Sequence, residues 1–249
     1  TAKDLAGAAA AHLEFGADFS AGQAKVRAYN PAPAQHGWHS TYTVVEIVND
    51  DMPFLVDSVT MEVNRQGLTL HLVIHPVLRT VRSGSGELVS VARPAESTGG
   101  RLESFMHVEV DRQTSPAKLA ELETGIVRVL ADVRAAVEDW RAMKERMAQV
   151  LAELDSAASG VSAAELEEGR AFLAWLINDH FTFLGCREYV LESGKAGEEL
   201  RIVPGTGRGI LRERGETLSA SFAGLPAEAR RRARVKELLV LTKANSRST

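Results

Sequence analysis

The chain passes from a strand into a helix at Asp51-Met-Pro-Phe-Leu-Val-Asp-Ser-Val-Thr-Met-Glu-Val-Asn-Arg-Gln-Gly67. Within this stretch Leu55, Val59 and Val63 recur every four residues, so they share one helical face. Pro53 suits a first turn, where its missing N–H is not needed, and the final glycine suits the position just beyond the helix. The stretch therefore predicts a helix of about three turns with one buried face.

Strand patterns surround this helix. Residues 42–48 are rich in β-forming side chains and end at an Asn-Asp-Asp turn. Residues 68–82 largely alternate between leucine or isoleucine and polar side chains, which predicts one strand that is at least half buried. Residues 87–93 and 105–111 predict two further strands. Residues 1–39 are rich in Ala, Gly and Pro and predict a short helix followed by a linker.

A long helix is predicted from Ser115 onward, because apolar residues follow a heptad period over five repeats. Its seam is Leu119, Leu122, Ile126, Val129, Val133, Ala136, Trp140, Met143, Met147, Val150 and Leu154. Gly125 interrupts the helix at a cost of about 1 kcal/mol relative to alanine, which we expect the packing of the seam to outweigh. A capping pattern at Ser162 opens a second helix, predicted to fold back antiparallel. Short strands and a helix over residues 226–240 complete the prediction.

The predicted order is β-α-β-β-α, then a helical hairpin and a smaller C-terminal β/α segment. This order indicates an α+β protein with helices on one face of a sheet. We divide the chain into an N-terminal helix and linker (1–39), a sheet-and-helix module (40–140), a helical hairpin (141–178) and the start of a second α/β module (179–249).

Composition restricts the possible functions. The chain has 249 residues, a formal charge of −4 and one cysteine. The charge gives no basic field to attract nucleic acid, and no apolar run approaches the ~20 residues of a membrane helix. The lone thiol suits a reducing cytoplasm, and no export signal precedes the first helix. We expect a cytoplasmic piece of a longer polypeptide with neither nucleic-acid nor membrane partners.

Four separated stretches resemble the N-terminal region of the large bacterial NAD-specific glutamate dehydrogenases. They are Val48-Asn-Asp-Asp-Met-Pro-Phe-Leu-Val-Asp-Ser-Val-Thr-Met-Glu62, Gly67-Leu-Thr-Leu-His-Leu-Val-Ile-His-Pro-Val-Leu-Arg79, Asn178-Asp-His-Phe-Thr-Phe-Leu-Gly185 and Leu241-Thr-Lys-Ala-Asn-Ser-Arg-Ser-Thr249. The resemblance spans roughly residues 40–249. It implies that residues 40–140 form an ACT-like (ferredoxin-like) module and that the chain is non-catalytic.

The same resemblance implies a role in regulation or oligomerisation. The parent enzyme would oxidise L-glutamate with NAD, in a catalytic domain far C-terminal to these residues, and this fragment would bind no cofactor itself. Its partners would be the rest of the polypeptide, other subunits of a homo-oligomer and a small amino-acid effector. A different class of function is a free-standing amino-acid sensor built on an ACT-like module.

A candidate ligand site comes from the resemblance of Asp51-Met-Pro-Phe-Leu-Val56 to the ACT signature. That signature reads Asp-x-Pro-Gly before apolar residues, and the helix N-terminus behind it can receive a carboxylate. The candidate residues are Asn49, Asp50, Asp51, Phe54 and Leu55. Phe54 stands where the signature has glycine, and its ring would obstruct a ligand. The alternative interpretation is that the two aspartates cap the helix.

Other polar motifs give structural interpretations, so no catalytic, cofactor-binding or metal-binding residue is assigned. His71 and His75 lie too far apart on a strand to ligate one ion. Gly205-Thr-Gly-Arg-Gly209 lacks the spacing of a dinucleotide fingerprint and is interpreted as a turn. The basic cluster Arg230–Arg234 is interpreted as a solvated or interdomain face, and Cys186 as an inert thiol.

Overall fold

The computed structural model describes residues 1–157, 161–194, 197–213 and 215–219, together with residues 222, 224 and 230. The chain forms two compact units, Thr1–Arg134 and Ala135–Thr249. Both contain helix and antiparallel strand, so the protein is α+β. In the described part of the chain, no helix combines the length and apolar character that a bilayer span requires.

The first unit is built on one antiparallel sheet. Its elements in chain order are α1 (Ala2–Phe15), β1 (Lys25–Tyr29), α2 (Pro33–His36), β2 (Thr43–Asp50), α3 (Leu55–Arg65), β3 (Leu70–Ile74), β4 (Val77–Arg82), β5 (Leu88–Ala92), β6 (Arg101–Val110) and the start of α4 (Pro116–Ala157). The strand order is β1-β2-β6-β4-β5, and β3 also pairs with β6. The two longest strands, β2 and β6, therefore lie side by side at the centre.

Strand β1 corrects the prediction of a linker over the second half of residues 1–39. It pairs antiparallel with β2, from Lys25 opposite Val48 to Tyr29 opposite Val44. Its sequence is short and carries two basic side chains, so local propensity does not distinguish it from a loop. The neighbouring strand supplies its hydrogen bonds and thereby decides its conformation.

The predicted strand over residues 68–82 is two strands, β3 and β4, separated at His75 and Pro76. Proline has no N–H for the ladder, so regular pairing is interrupted there. Both strands nevertheless lie along the same edge of β6: Ile74 is opposite His107, and Val77 is opposite Ser104. The alternation was predicted correctly, and the break was not.

One side of the sheet, which we call the helix-paired face, is apolar. It carries Val45, Ile47, Met106, Val108 and Val110, all of them buried. Helix α3 buries Leu55, Val59 and Val63 as predicted. Helix α4 approaches from the same side, because Arg134 donates a hydrogen bond to Asn49, which lies two residues beyond Ile47 on this face.

The opposite side, which we call the polar face, carries Glu46, Val48, Phe105, His107 and Glu109. Helix α1 lies against it: His12 Nε2 contacts the Ile47 carbonyl oxygen at 3.2 Å, and the His12 ring lies 5.4 Å from that of Phe105. Helices therefore cover both faces, and the prediction of helices on one face was wrong. The Ala-rich sequence of α1 predicts a helix but does not identify the surface it contacts.

Helix α4 is 42 residues long, about 60 Å. The predicted seam is buried or half-buried except at Trp140, whose exposed ring has Lys144 Nζ 5.1 Å from its centroid. Close packing explains why position 125 is a glycine. A Cβ there would overlap the carboxylate of Glu62 and lie 2.6 Å from Gln66 Nε2. The missing side chain lets α3 and α4 approach closely.

The second unit contains the rest of α4, α5 (Ala163–Trp175), a π-helical turn (Leu176–His180) and four strands, β7 (Gly185–Cys186), β8 (Tyr189–Gly194), β9 (Gly197–Ile202) and β10 (Arg208–Gly209). The strands form two antiparallel pairs, β7 with β10 and β8 with β9. Lys144 donates to Asp179 at 2.7 Å, so the end of the π-helical turn lies beside α4. The helix predicted over 226–240 lies outside the described residues.

Candidate functional site

The predicted ligand residues lie at the corner between β2 and α3, where the side chains of Asn49 and Asp50 are already engaged. Asn49 Oδ1 accepts a hydrogen bond from Arg134 at 3.0 Å, and Asp50 forms a 2.9 Å ion pair with the same guanidinium. Asp50 also accepts the backbone N–H of Gly22 at 2.8 Å. These contacts join the end of β2 to α4 and to the segment before β1.

The helix-cap interpretation of the two aspartates is wrong. Helix α3 begins at Leu55, its N-cap residue is Phe54, and no side chain caps it. Pro53 lies before the helix rather than in its first turn. Asp50 is directed to Arg134 instead, and the backbone N–H of Asp51 donates to Leu102 O on the sheet. Ion pairing and sheet contacts therefore replace local capping.

Phe54 adopts the left-handed conformation, with φ of 71° and ψ of 6°, and its side chain is 50% exposed. The ACT signature has glycine at this position, and glycine adopts such a conformation without steric cost. The backbone at Phe54 therefore has the conformation that glycine favours, although the residue carries a bulky side chain. A bulky residue with positive φ is strained by about 1–2 kcal/mol. Leu55, the last predicted residue, is part of the core.

A second candidate site is a cavity of about 360 Å³ between α1 and the polar face. Its apolar walls are formed by Leu5, Ala8, Ala9 and Leu13 of α1 and by Leu72, Ile74, Pro76, Leu78 and Phe105 of the sheet. Its polar end is formed by Trp38, Ser40, His107 and Glu109. Thr1, Asp4, His12 and His39 also line it, and the Thr1 amino group and Asp4 form an ion pair with each other. The volume lies within the range of small-molecule sites.

The side chains at the polar end have few hydrogen-bond partners. Glu109 Oε1 accepts from Ser40 at 3.3 Å and lies 3.6 Å from His107 Nε2, too far for a good hydrogen bond. Trp38 is only 3% exposed, and its Nε1 has no acceptor among the described residues. Buried donors are normally paired, so an orphaned indole N–H requires an explanation.

A charged cluster next to the cavity is fully paired. Glu46, completely buried, accepts from Arg27 at 2.6 Å and from the Tyr29 hydroxyl at 2.9 Å. Burial and the neighbouring Glu46 carboxylate raise the pKa of Tyr29, so it remains a donor. Burial lowers the pKa of His12 despite the opposing effect of Glu46, so the uncharged ring is favoured. This cluster stabilises the fold, whereas the cavity residues keep free hydrogen-bonding capacity.

The histidines considered for metal binding have separate partners. His71 Nε2 lies 2.8 Å from Asp111 Oδ1, and His75 Nε2 lies 2.6 Å from Ser104 Oγ. The backbone N–H of Thr69 and the His71 ring lower the pKa of Asp111 to about 2. Across the ranges that the structure describes, no three His, Cys, Asp or Glu side chains are close enough to hold a metal ion.

In the glycine-rich segment Gly205–Gly209, two backbone N–H groups donate hydrogen bonds to carboxylates of the same chain. Gly209 N–H donates to Asp139 at 2.7 Å, and Gly205 N–H donates to Glu213 at 2.6 Å. Two of its glycines have positive φ, as expected for a turn.

Burial raises the pKa of the Cys186 thiol, which disfavours the reactive thiolate. Of the Arg230–Arg234 cluster, only the first residue lies within the described residues.

Sequence reasoning did not identify the cavity residues. The alternation in β6 places His107 and Glu109 on one face, and this signal was visible. The loop that supplies Trp38 comes from residues interpreted as a linker, and the helix that covers this face was predicted without the surface that it contacts. Their proximity depends on the pairing of β1 with β2, which local sequence does not encode.

Comparisons with known proteins relate this chain to one family. A sequence profile described as "Glutamate dehydrogenase, ACT1 domain" matches residues 1–126. The match includes the whole sheet, the corner at Phe54 and every residue that lines the cavity.

Three curated relatives are called NAD-specific glutamate dehydrogenase. The protein of Halomonas elongata is 38% identical over 211 residues, which is 84% of this chain and 13% of that protein. The protein of Pseudomonas aeruginosa is 44% identical over 173 residues, 69% of this chain and 11% of that protein. The protein of Mycobacterium tuberculosis is 30% identical over 207 residues, which is 82% of this chain and 12% of that protein. The chain thus spans about an eighth of the length of these relatives.

Proposed function

Since the chain belongs to the glutamate dehydrogenase ACT1-domain family, we propose that it is a non-catalytic regulatory and oligomerisation region of an NAD-specific glutamate dehydrogenase. The parent enzyme would convert L-glutamate, NAD and water to 2-oxoglutarate, ammonia and NADH in the cytoplasm. The observation that carries the proposal is the match over residues 1–126, together with relatives that are all named as this dehydrogenase.

The finer fold proposal is an ACT-like core made by β2, α3, β3 with β4, β6 and α4. Two features support it: β2 and β6 are adjacent, and β3 and β4 lie on the other side of β6. In this proposal β1 and β5 are additional edge strands. The predicted domains (1–39, 40–140, 141–178 and 179–249) remain part of the proposal, with residues 1–39 contributing α1 and β1 to the first module.

Exposed apolar side chains on the first unit support a role in assembly. On the edge strand β5, Val89 and Val91 are 66% and 40% exposed. Exposed apolar residues that lie close together are typical of surfaces that contact another protein or domain. The proposed partners are the rest of the same polypeptide and other subunits, and the proposed effector is a small amino acid.

Activity and mass measurements test the proposal. The 249-residue chain should show no glutamate-dependent reduction of NAD, whereas the complete dehydrogenase should. Removing the first unit, residues 1–134, from the complete enzyme should change its subunit assembly by light scattering or its response to amino acids. Turnover by the chain alone, or a truncated enzyme with unchanged mass and unchanged response, would contradict the proposal.

Mutation of the corner tests the ACT-type ligand site separately. Phe54→Gly removes the ring that obstructs the start of α3 and keeps the left-handed backbone. If an amino acid binds there, calorimetry should detect tighter binding to this variant than to the unchanged chain. Equal heats from both would remove Asn49, Asp50, Asp51, Phe54 and Leu55 as ligand residues. Micromolar binding by the unchanged chain would favour the alternative, a free-standing amino-acid sensor.

A further inference from the structure

We infer that the cavity between α1 and the polar face binds a small aliphatic molecule whose polar end carries an N–H donor next to an oxygen acceptor. This cavity is separate from the β2–α3 corner, since none of Asn49 to Leu55 lines it.

The walls determine the body of the ligand. Leu5 and Leu13 of α1 and Leu72 and Ile74 of β3 line the cavity, and all four side chains are at least 40% exposed to it or to solvent. An aliphatic group that displaced water from these side chains would gain about 25 cal/mol for each Å² that it buries. A volume of about 360 Å³ accommodates a branched chain of a few carbons with a polar group.

The polar end determines the head group. Glu109 is an acceptor whose carboxylate receives one long hydrogen bond, 3.3 Å from Ser40. Trp38 Nε1 has no acceptor in the part of the chain that the structure describes, but it is fully buried, so the indole contributes a wall of the cavity rather than a donor to the ligand. His107, 8% exposed, has no side-chain hydrogen bond there beyond its 3.6 Å contact with Glu109. An unmade hydrogen bond of a buried group costs about 1–3 kcal/mol, so a ligand that supplies it gains affinity.

Complementarity therefore requires nitrogen and oxygen together. An N–H group would donate to Glu109, and an adjacent oxygen would accept from the His107 ring. Two sources share this chemistry: a neutral primary amide, and a zwitterionic amino acid with an aliphatic side chain. An aliphatic carboxylate lacks the donor and would bring a second negative charge close to Glu109, which is unfavourable in a cavity with apolar walls.

The binding test uses the 249-residue chain and three probes of matched carbon skeleton. They are 4-methylpentanamide, L-leucine and 4-methylpentanoate. Calorimetry and the indole N–H resonance of Trp38 report binding, and Trp140 and Trp175, both exposed, serve as internal references. Binding of the amide or of leucine, with a shift confined to Trp38, supports the inference and identifies the source. Absence of binding by both, or equal binding of 4-methylpentanoate, overturns it.

Variants locate the binding. Ala9→Phe fills the cavity from α1 and should weaken binding at least tenfold, whereas Ala10→Phe, on the exposed side of the same helix, should not. Glu109→Gln should weaken binding about tenfold, since a charge-assisted hydrogen bond is lost. Circular dichroism verifies that each variant folds. Binding unchanged by both Ala9→Phe and Glu109→Gln overturns the inference, whereas failure of the truncation experiment affects only the proposed function.

Discussion

The two faces of the central sheet are packed in different ways. The helix-paired face is covered by α3 and α4, which meet at Gly125 without an intervening side chain, and its residues are almost completely buried. The polar face is covered by α1, which leaves a cavity over β3 and β6. Its buried charges, such as Glu46, are paired, but Trp38 Nε1 is not. The difference is that one face is closely packed, whereas the other leaves open space and polar side chains with few partners.

The largest difference between the faces should appear when the same side chain is shortened on each. Ile47 is 1% exposed on the helix-paired face, and Ile74 is 45% exposed beside the cavity. Ile47→Ala should lower the free energy of unfolding by about 3–4 kcal/mol and Ile74→Ala by about 1 kcal/mol. Urea unfolding of both variants measures the difference. Equal losses would mean that the polar face is packed as tightly as its opposite.

A smaller effect is expected where α1 contacts the loop that contains Trp38. A Cβ at Gly7 would lie 2.6 Å from Trp38 Cβ, so Gly7→Ala must displace the helix or the buried indole. We expect a net loss of about 1–2 kcal/mol, because overpacking exceeds the gain in helix propensity.

Ala10→Gly, on the exposed side of α1, is the control for Gly7→Ala, since it changes propensity alone. It should cost about 1 kcal/mol. If Gly7→Ala stabilised the protein by the amount that the control loses, the close contact between α1 and Trp38 would be disproved.

The backbone strain at the start of α3 gives an effect of opposite sign. Phe54→Gly should raise the free energy of unfolding by about 0.5–1 kcal/mol, because relief of the left-handed strain exceeds the greater entropy of the unfolded chain. Phe54→Ala keeps the strain and should give no such gain. Thermal unfolding of the two variants compares them. An equal gain from both would assign the effect to the exposed ring rather than to the backbone.

The smallest expected effect is a pH dependence from His12. Burial lowers its pKa in the folded state below the ordinary value of about 6.5. The unfolded state therefore binds more protons below that pH, and stability that is present above it is lost as the pH falls. Urea unfolding at pH 7.5 and pH 5.5 should show a larger loss for the unchanged protein than for His12→Gln. The same loss in both would exclude His12 as the titrating group.

Local sequence correctly predicted the elements with strong periodicity. Leu55, Val59 and Val63 identified the buried face of α3, and the heptad seam identified α4 nearly to its end. These predictions succeeded because hydrophobic period and helix geometry are fixed by neighbouring residues along the chain. The resemblance of four separated stretches to the large NAD-specific glutamate dehydrogenases also identified the family.

Tertiary structure alone decided the features that depend on distant partners. Strand β1 exists because β2 supplies its hydrogen bonds, and Asp50 faces Arg134 rather than capping α3. The cavity requires α1, the loop at Trp38 and β6 to meet, although nearly 70 residues separate Trp38 from His107 along the chain. The periodicity of apolar residues indicates which side chains share a face. It does not indicate which segment packs against that face, because that packing depends on the free energy of the whole folded unit.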